Sequence, residues 1–173
     1  LVDRESIEEP KVFTATAETS FPYIPTYLTY REIPAIEKLL DQIQNRFDVL
    51  LLDGNGSLHP RGIGIASHIG VLYDIPTIGV AKNLLCGNVV GYGQIQEVIV
   101  DGVRRGFALW PSDRVKTPIF VSPGHRISCA TSLKIVRSLC KYKIPEPLRR
   151  AHLAATELKH RLSAPSAPQS AAL

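Results

Sequence analysis

The 173 residues contain no methionine, not even at position 1. The stretch is therefore expected to begin inside a longer reading frame or after removal of leading residues. Cysteine is scarce and unpatterned. Cys86, Cys129 and Cys140 are odd in number and form no CxxC pair, which argues against a disulfide framework and a zinc site and for reduced thiols. No uninterrupted apolar run approaches the roughly 20 residues that span a bilayer, and no charged leader runs into an apolar stretch at the start. A soluble, intracellular protein with no membrane partner is expected, cytoplasmic or, in a eukaryotic cell, nuclear or nucleolar. A GxxxxGK[ST] phosphate loop is also absent, which argues against a P-loop triphosphatase.

What is present fits one ordinary globular domain. The chain is 45% hydrophobic and 21% charged, with 20 Lys and Arg against 16 Asp and Glu, giving a net charge of +4 and a pI near 9.1. That mild excess suits a polyanionic partner without demanding one.

Along the chain, Lys11 to Thr16 is rich in β-formers and predicts a strand. The two prolines of Phe21-Pro22-Tyr23-Ile24-Pro25 exclude regular structure there. From Pro34, apolar residues at 36, 39, 40 and 43 recur at helical spacing and predict a helix to Asn45. Val49 to Leu52 is a wholly apolar run, the mark of a strand buried on both faces in a parallel or mixed sheet. A helix over 63–72 and a second buried strand over 77–81 follow. Residues 98–100 and 107–109 suggest a hairpin whose turn Arg104 and Arg105 make longer than two residues. A short strand is expected at 119–121, a helix over 128–140 and a last basic helix over 148–162. Residues 163–173 lack any core-forming pattern and are expected to be a disordered tail. Strands alternating with helices predict an α/β fold, a central mixed sheet flanked by helices.

Charged residues gather at the ends of these elements. Asp53 directly follows the buried run and precedes Gly54-Asn55-Gly56, at the carboxyl end of a strand where α/β sheets collect ligands; a plain Asp-Gly turn reads equally well. Glu32, beside Arg31, sits in a first helical turn, where a carboxylate favours the exposed N–H groups. His59 and Arg61 follow Asp53 closely, and His68 on the next helix reads first as a satisfied structural histidine. Lys82, ending a buried strand, suits a phosphate contact. His152 lies on the basic last helix, either as part of a basic surface or as an acid, base or ligand. Carboxylates with a histidine suggest a hard cation such as Mg²⁺, which takes oxygen ligands and keeps several waters.

The ordered set Phe-Pro-Tyr-Ile-Pro (21–25), Tyr-Arg-Glu (30–32), Asp-Gly-Asn-Gly (53–56), His-Pro-Arg (59–61), Ala-Ser-His-Ile-Gly (66–70), Ile-Pro-Thr-Ile-Gly-Val-Ala-Lys (75–82), Ser-Pro-Gly-His (122–125) and Ile-Pro-Glu-Pro-Leu-Arg-Arg-Ala-His (144–152) resembles endonuclease V over residues 1–162. The resemblance implies a ribonuclease H-like fold and Mg²⁺- or Mn²⁺-dependent hydrolysis of the second phosphodiester bond 3′ to inosine in DNA or RNA, leaving 3′-hydroxyl and 5′-phosphate ends, by a monomer. It implies that Glu32 and Asp53 bind the metal, that Lys82 faces the scissile phosphate and that His152 stands near the metal. It makes Tyr23 the wedge that replaces an extruded base. Leu28, Arg31, Gly54, Gly56, His59, Arg61 and His68 become substrate contacts. Two departures stand out. The family's first catalytic aspartate is expected upstream of this stretch, Asp3 being too near Tyr23 to be that residue. Thr26 replaces the usual glycine. A catalytically silent nucleic-acid-binding module is the alternative reading, and a metabolic α/β enzyme acting on a small phosphorylated molecule a third.

Overall fold

The computed structural model describes residues 10–25, 27–43 and 46–163. Asp3, Thr26, Asn45 and the expected tail from 164 onwards lie outside them.

The described chain forms α1 (Thr29–Ile43), β1 (Leu50–Asp53), α2 (Ile65–Tyr73), β2 (Thr77–Ala81), β3 (Asn88–Val90), β4 (Ile95–Val100), β5 (Val103–Leu109), β6 (Ile119–His125), α3 (Cys129–Leu139) and α4 (Glu146–Ser163). The six strands make one sheet in the order β1-β2-β6-β5-β4-β3. β1 and β2 are parallel, joined through α2, and every other pair is antiparallel. This is the expected α/β fold with a mixed sheet.

Strand alternation assigns the two faces. Ile78, Val80, Leu109, Ile119 and Val121 pack with Val136 of α3 and Leu148 of α4. On the opposite face Ala81, Ala108 and Phe120 pack around Leu58, while Leu52 packs with Ile65, Ala66 and Ile69 of α2 and with Ile33 and Ile36 of α1. Among the described residues no helix is long and apolar enough to cross a membrane.

Several expectations need correction. Residues 11–16 form no strand, because no other strand pairs with them among the described residues. Instead Lys38 Nζ donates to the Thr16 carbonyl at 2.9 Å and Gln42 Nε2 to the Thr14 carbonyl at 3.3 Å. β-propensity without a ladder partner does not make a strand. Helix α1 begins at Thr29 rather than Pro34, so Pro34 sits inside it, costing one backbone hydrogen bond near the helix start. The β4–β5 turn has two residues, Asp101 (φ 50°) and Gly102 (φ 75°), both left-handed as a tight hairpin requires. Arg104 and Arg105 belong to β5, and Arg104 pairs with Glu97 across the ladder at 2.6 Å. β6 runs on to His125 through Pro123, which the sheet accepts because β5 has no pairing beyond Val121; Pro123 offers its carbonyl to Ser57 N–H at 2.9 Å. The three-residue, exposed β3 was not anticipated. Helix α3 runs Cys129–Leu139, with Ser128 as its N-cap accepting from Thr131 N–H at 3.1 Å, and α4 starts at Glu146, two residues early.

Candidate functional site

Asp53 ends β1, in register with Val80 of β2, and Lys82 stands just past the end of the parallel β2. Both side chains are exposed, and alternation puts Asp53 on the face of Leu51, which packs on the α3–α4 side. His152 is an exposed residue of α4, the helix that packs beside β1. Glu32 is exposed in the first turn of α1, its N–H donating to the Leu28 carbonyl at 3.3 Å. Among the described residues the side chains of Glu32, Asp53 and Lys82 make no hydrogen bond or ion pair with protein groups. They are free to engage a ligand.

The segment after Asp53 is held firmly against the sheet. Gly54 N–H donates to the Val80 carbonyl at 3.0 Å, and its φ of 147° suits glycine alone. Gly56 N–H donates to Ser122 Oγ at 2.9 Å and Ser57 Oγ to the Arg105 carbonyl at 2.8 Å, so the loop crosses β2, β6 and β5 in turn. It fits because the strands beneath are small: a Cβ on Gly79 would strike the Gly56 nitrogen, and one on Gly56 the Pro123 carbonyl. Gly64 N–H and Ala66 N–H return to the carbonyls of Gly56 and Asn55, fixing the start of α2. Asn55 is buried and its Oδ1 finds no partner among the described residues. A buried acceptor left unpaired is unfavourable by about 1–3 kcal/mol, which a bound donor would relieve. His59 is buried too, its Nδ1 accepting from Arg61 N–H at 3.3 Å. Burial, and then the Arg61 charge, hold its imidazole below the usual pKa, so it is neutral at pH 7 and structural in its contacts.

The proline loop is anchored by rings. Phe21 stacks on Tyr30 at 5.3 Å, Tyr30 meets His68 edge-on at 5.3 Å, and Arg61 lies 3.7 Å over Tyr27. Arg31 Nη1 donates to the Phe21 carbonyl. Arg31, Arg61 and His68, three of the expected substrate contacts, thus share one cluster that joins the loop to α2. Tyr27 and Tyr30 were not read from the sequence as anchors, since two of the partners that define the cluster, Arg61 for Tyr27 and His68 for Tyr30, lie more than thirty residues away. Tyr23 belongs to none of these contacts and is 70% exposed, and Leu28 beside the loop is exposed as well.

A hard divalent cation would find oxygen donors here in kind but not in number. Among the described residues no three Asp, Glu, His or Cys side chains converge. Glu32 and Asp53 are uncommitted carboxylates of the right chemistry, and they do not by themselves complete a cage.

Comparison with known proteins bears on the family and the fold. Residues 1–153 match the family model described as Endonuclease V. An endonuclease V of Dictyoglomus turgidum is 42% identical over 158 residues, covering 86% of this chain and 67% of the relative. One from Thermofilum pendens is 49% identical over 142 residues, covering 80% and 61%. Among solved structures, Ciona intestinalis endonuclease V (D234N) in complex with a 23mer DNA containing an inosine followed by a ribo-adenosine superimposes with a TM-score of 0.76 at 33% identity, covering 83% of this chain and 69% of that one. The chain thus spans 61–69% of the length of these relatives. With the family model matched over most of its residues and the fold shared, the chain belongs to the endonuclease V family.

Proposed function

We propose that the whole protein is an endonuclease that hydrolyses the second phosphodiester bond 3′ to inosine in DNA or RNA, with Mg²⁺ or Mn²⁺, leaving 3′-hydroxyl and 5′-phosphate ends. The observation that carries this is the meeting of uncommitted Asp53 and Lys82 at one sheet end, beside the helix bearing His152. The inosine-containing DNA of the Ciona complex supports the choice of substrate. The metal, held by Glu32 and Asp53 with ligands beyond this stretch, would activate water and neutralise phosphate charge. Lys82 binds the scissile phosphate, His152 stands near the metal, and the rigid Gly54–Gly56 backbone lines the base pocket. Tyr23 fills the gap left by the extruded base. The first aspartate of the family is assigned to sequence upstream of Leu1, and the protein acts as a monomer.

The test is cleavage of end-labelled strands differing only in inosine against adenine, with the whole protein and Mg²⁺. One inosine-dependent nick with the stated end groups is expected, and the 173-residue chain alone should not nick. Equal cleavage of both strands would refute the substrate, and full activity of the 173-residue chain would refute the need for an upstream ligand. Binding without any cleavage by the whole protein would favour the silent-module reading.

A further inference from the structure

The far corner of the same sheet end carries residues that the proposed chemistry leaves unused. Pairing aligns Asp53, Val80, Val121, Phe107, Glu97 and Val90 in one row across all six strands. Because β4 and β6 run against the other four, the chain turns at Asp53's end of the sheet in two further places. One is the 110–118 loop between β5 and β6, and the other is the 91–94 loop between β3 and β4. With neighbouring strands about 4.8 Å apart, the 91–94 tip lies on the order of 24 Å from Asp53.

That tip presents an aromatic ring to water. Tyr92 is 97% exposed between Gly91 (φ 113°) and Gly93 (φ 80°), and among the described residues it makes no ring contact. The loop around it is braced: Gln94 Nε2 donates to Asp113 Oδ1 at 2.7 Å, Trp110 N–H to the Gln94 carbonyl at 2.8 Å, and Gln96 Nε2 to the Gly93 carbonyl at 3.1 Å. The brace ties the tip to the 110–118 loop, whose Arg114 and Lys116 are exposed and form no ion pair among the described residues. A path along this end from Asp53 therefore meets Lys82, then Lys116 and Arg114, and finishes on Tyr92. Cations free to meet phosphates, followed by an aromatic face held outward, are the components of a nucleic-acid track.

We propose that this ridge is a second contact for the nucleic acid, in which Arg114 and Lys116 bind phosphates and Tyr92 stacks on a base away from the cleavage centre. It rests on the proposed function only for the identity of the strand that crosses Asp53. At 3.4 Å per nucleotide, 24 Å corresponds to about seven nucleotides, so only strands with flanks of that length reach the ridge.

The experiment measures binding of the whole protein to duplexes with 4 or 12 base pairs on each side of a central inosine, and to the long duplex without inosine. Each long duplex carries a mismatched, unstacked pair about seven positions from the centre on either side, so that a base is open to Tyr92. Tyr92→Ala should weaken binding to the long duplexes by about fivefold to a hundredfold and leave the short one unaffected. Arg114→Ala with Lys116→Ala should do the same and flatten the salt dependence by one to two charges, about 0.9 per phosphate contact. Circular dichroism melting verifies that each variant folds. A Tyr92 effect on long duplexes with no preference for inosine would support the ridge and refute the inosine reading. Equal losses on short and long duplexes, or none on either, would overturn the ridge. So would loss of self-association alone on gel filtration, which would assign the surface to protein contact.

Discussion

The two ends of the sheet carry similar charges and treat them differently. At the end where β1 and β2 finish, Asp53 and Lys82 are exposed and, among the described residues, unpartnered. At the opposite end Asp74, in a left-handed conformation that caps α2, is bound by His125 at 3.0 Å and Arg126 at 2.7 Å, and these contacts hold its carboxyl below the usual range. Glu146 at the start of α4 is more committed still. It is 3% exposed and gripped by Arg149 through two hydrogen bonds of 2.7 Å and by Arg150 at 2.8 Å, which bring its pKa to about 2. Committed charges fix the fold, and uncommitted ones remain for a ligand. A carboxylate whose lone pairs are already filled by guanidinium groups has little to offer a cation.

The largest effect that could break this contrast is at Asp53. In the whole protein, Asp53→Ala should lower cleavage of an inosine strand by about a thousandfold or more, since a metal ligand supports several kcal/mol of charge stabilisation. Binding should be largely kept, because the change also removes a negative charge facing phosphate. Lys82→Ala should instead weaken binding and cleavage together, and gel shifts with nicking assays separate the two patterns.

Tyr23→Ala comes next, with a loss of about tenfold to a hundredfold in affinity for duplex with paired inosine and a smaller loss when the inosine is unpaired. Its 70% exposure beside the anchored Phe21, Tyr27 and Tyr30 leaves the ring free for the proposed wedge role. Equal losses on both substrates would make it a general contact.

Glu146→Gln should act on stability rather than on chemistry. A depressed carboxyl pKa means that the unfolded chain binds the extra proton, so the stabilisation is full above the ordinary value of 4.5 and fades as pH falls towards 2. Allowing for solvent around the half-exposed guanidiniums, the wild-type advantage is about 2 kcal/mol at pH 7. Urea titrations of the two proteins should converge as pH drops through that window. The smallest effect is expected for Asp74→Asn, whose own carboxyl is exposed: a slight fall in Tm and no change in nicking.

Much of this contrast was readable from the residues, and the reason differs by element. β2 was clear because five apolar or small residues lie between Pro76 and Lys82 and the sheet buries all of them. Asp53 was placed at its strand end by the same logic. Residues 11–16 misled because their composition reports β-propensity, whereas a strand needs a neighbour to bond with. Arg104 and Arg105 looked like turn residues because charge in a strand is legible only once Glu97 is known to lie across the ladder. The small-residue bed under Gly54–Leu58 was hidden for a related reason: Gly79, Gly106 and Ser122 belong to three strands that meet only in the folded sheet. Glu146 lies outside the helix expected over 148–162, and its burial at the start of α4 showed only in the fold.

The claim that the uncommitted carboxylates form the cation site is tested most directly by adding Mn²⁺ to the ¹⁵N-labelled whole protein and following paramagnetic broadening of its backbone amides. The account predicts that the Asp53, Gly54 and Glu32 signals broaden first while those of Asp74, His125 and Glu146 stay sharp, and that Asp53→Asn removes the effect. Broadening centred on Asp74 or Glu146, or unchanged by Asp53→Asn, would contradict it.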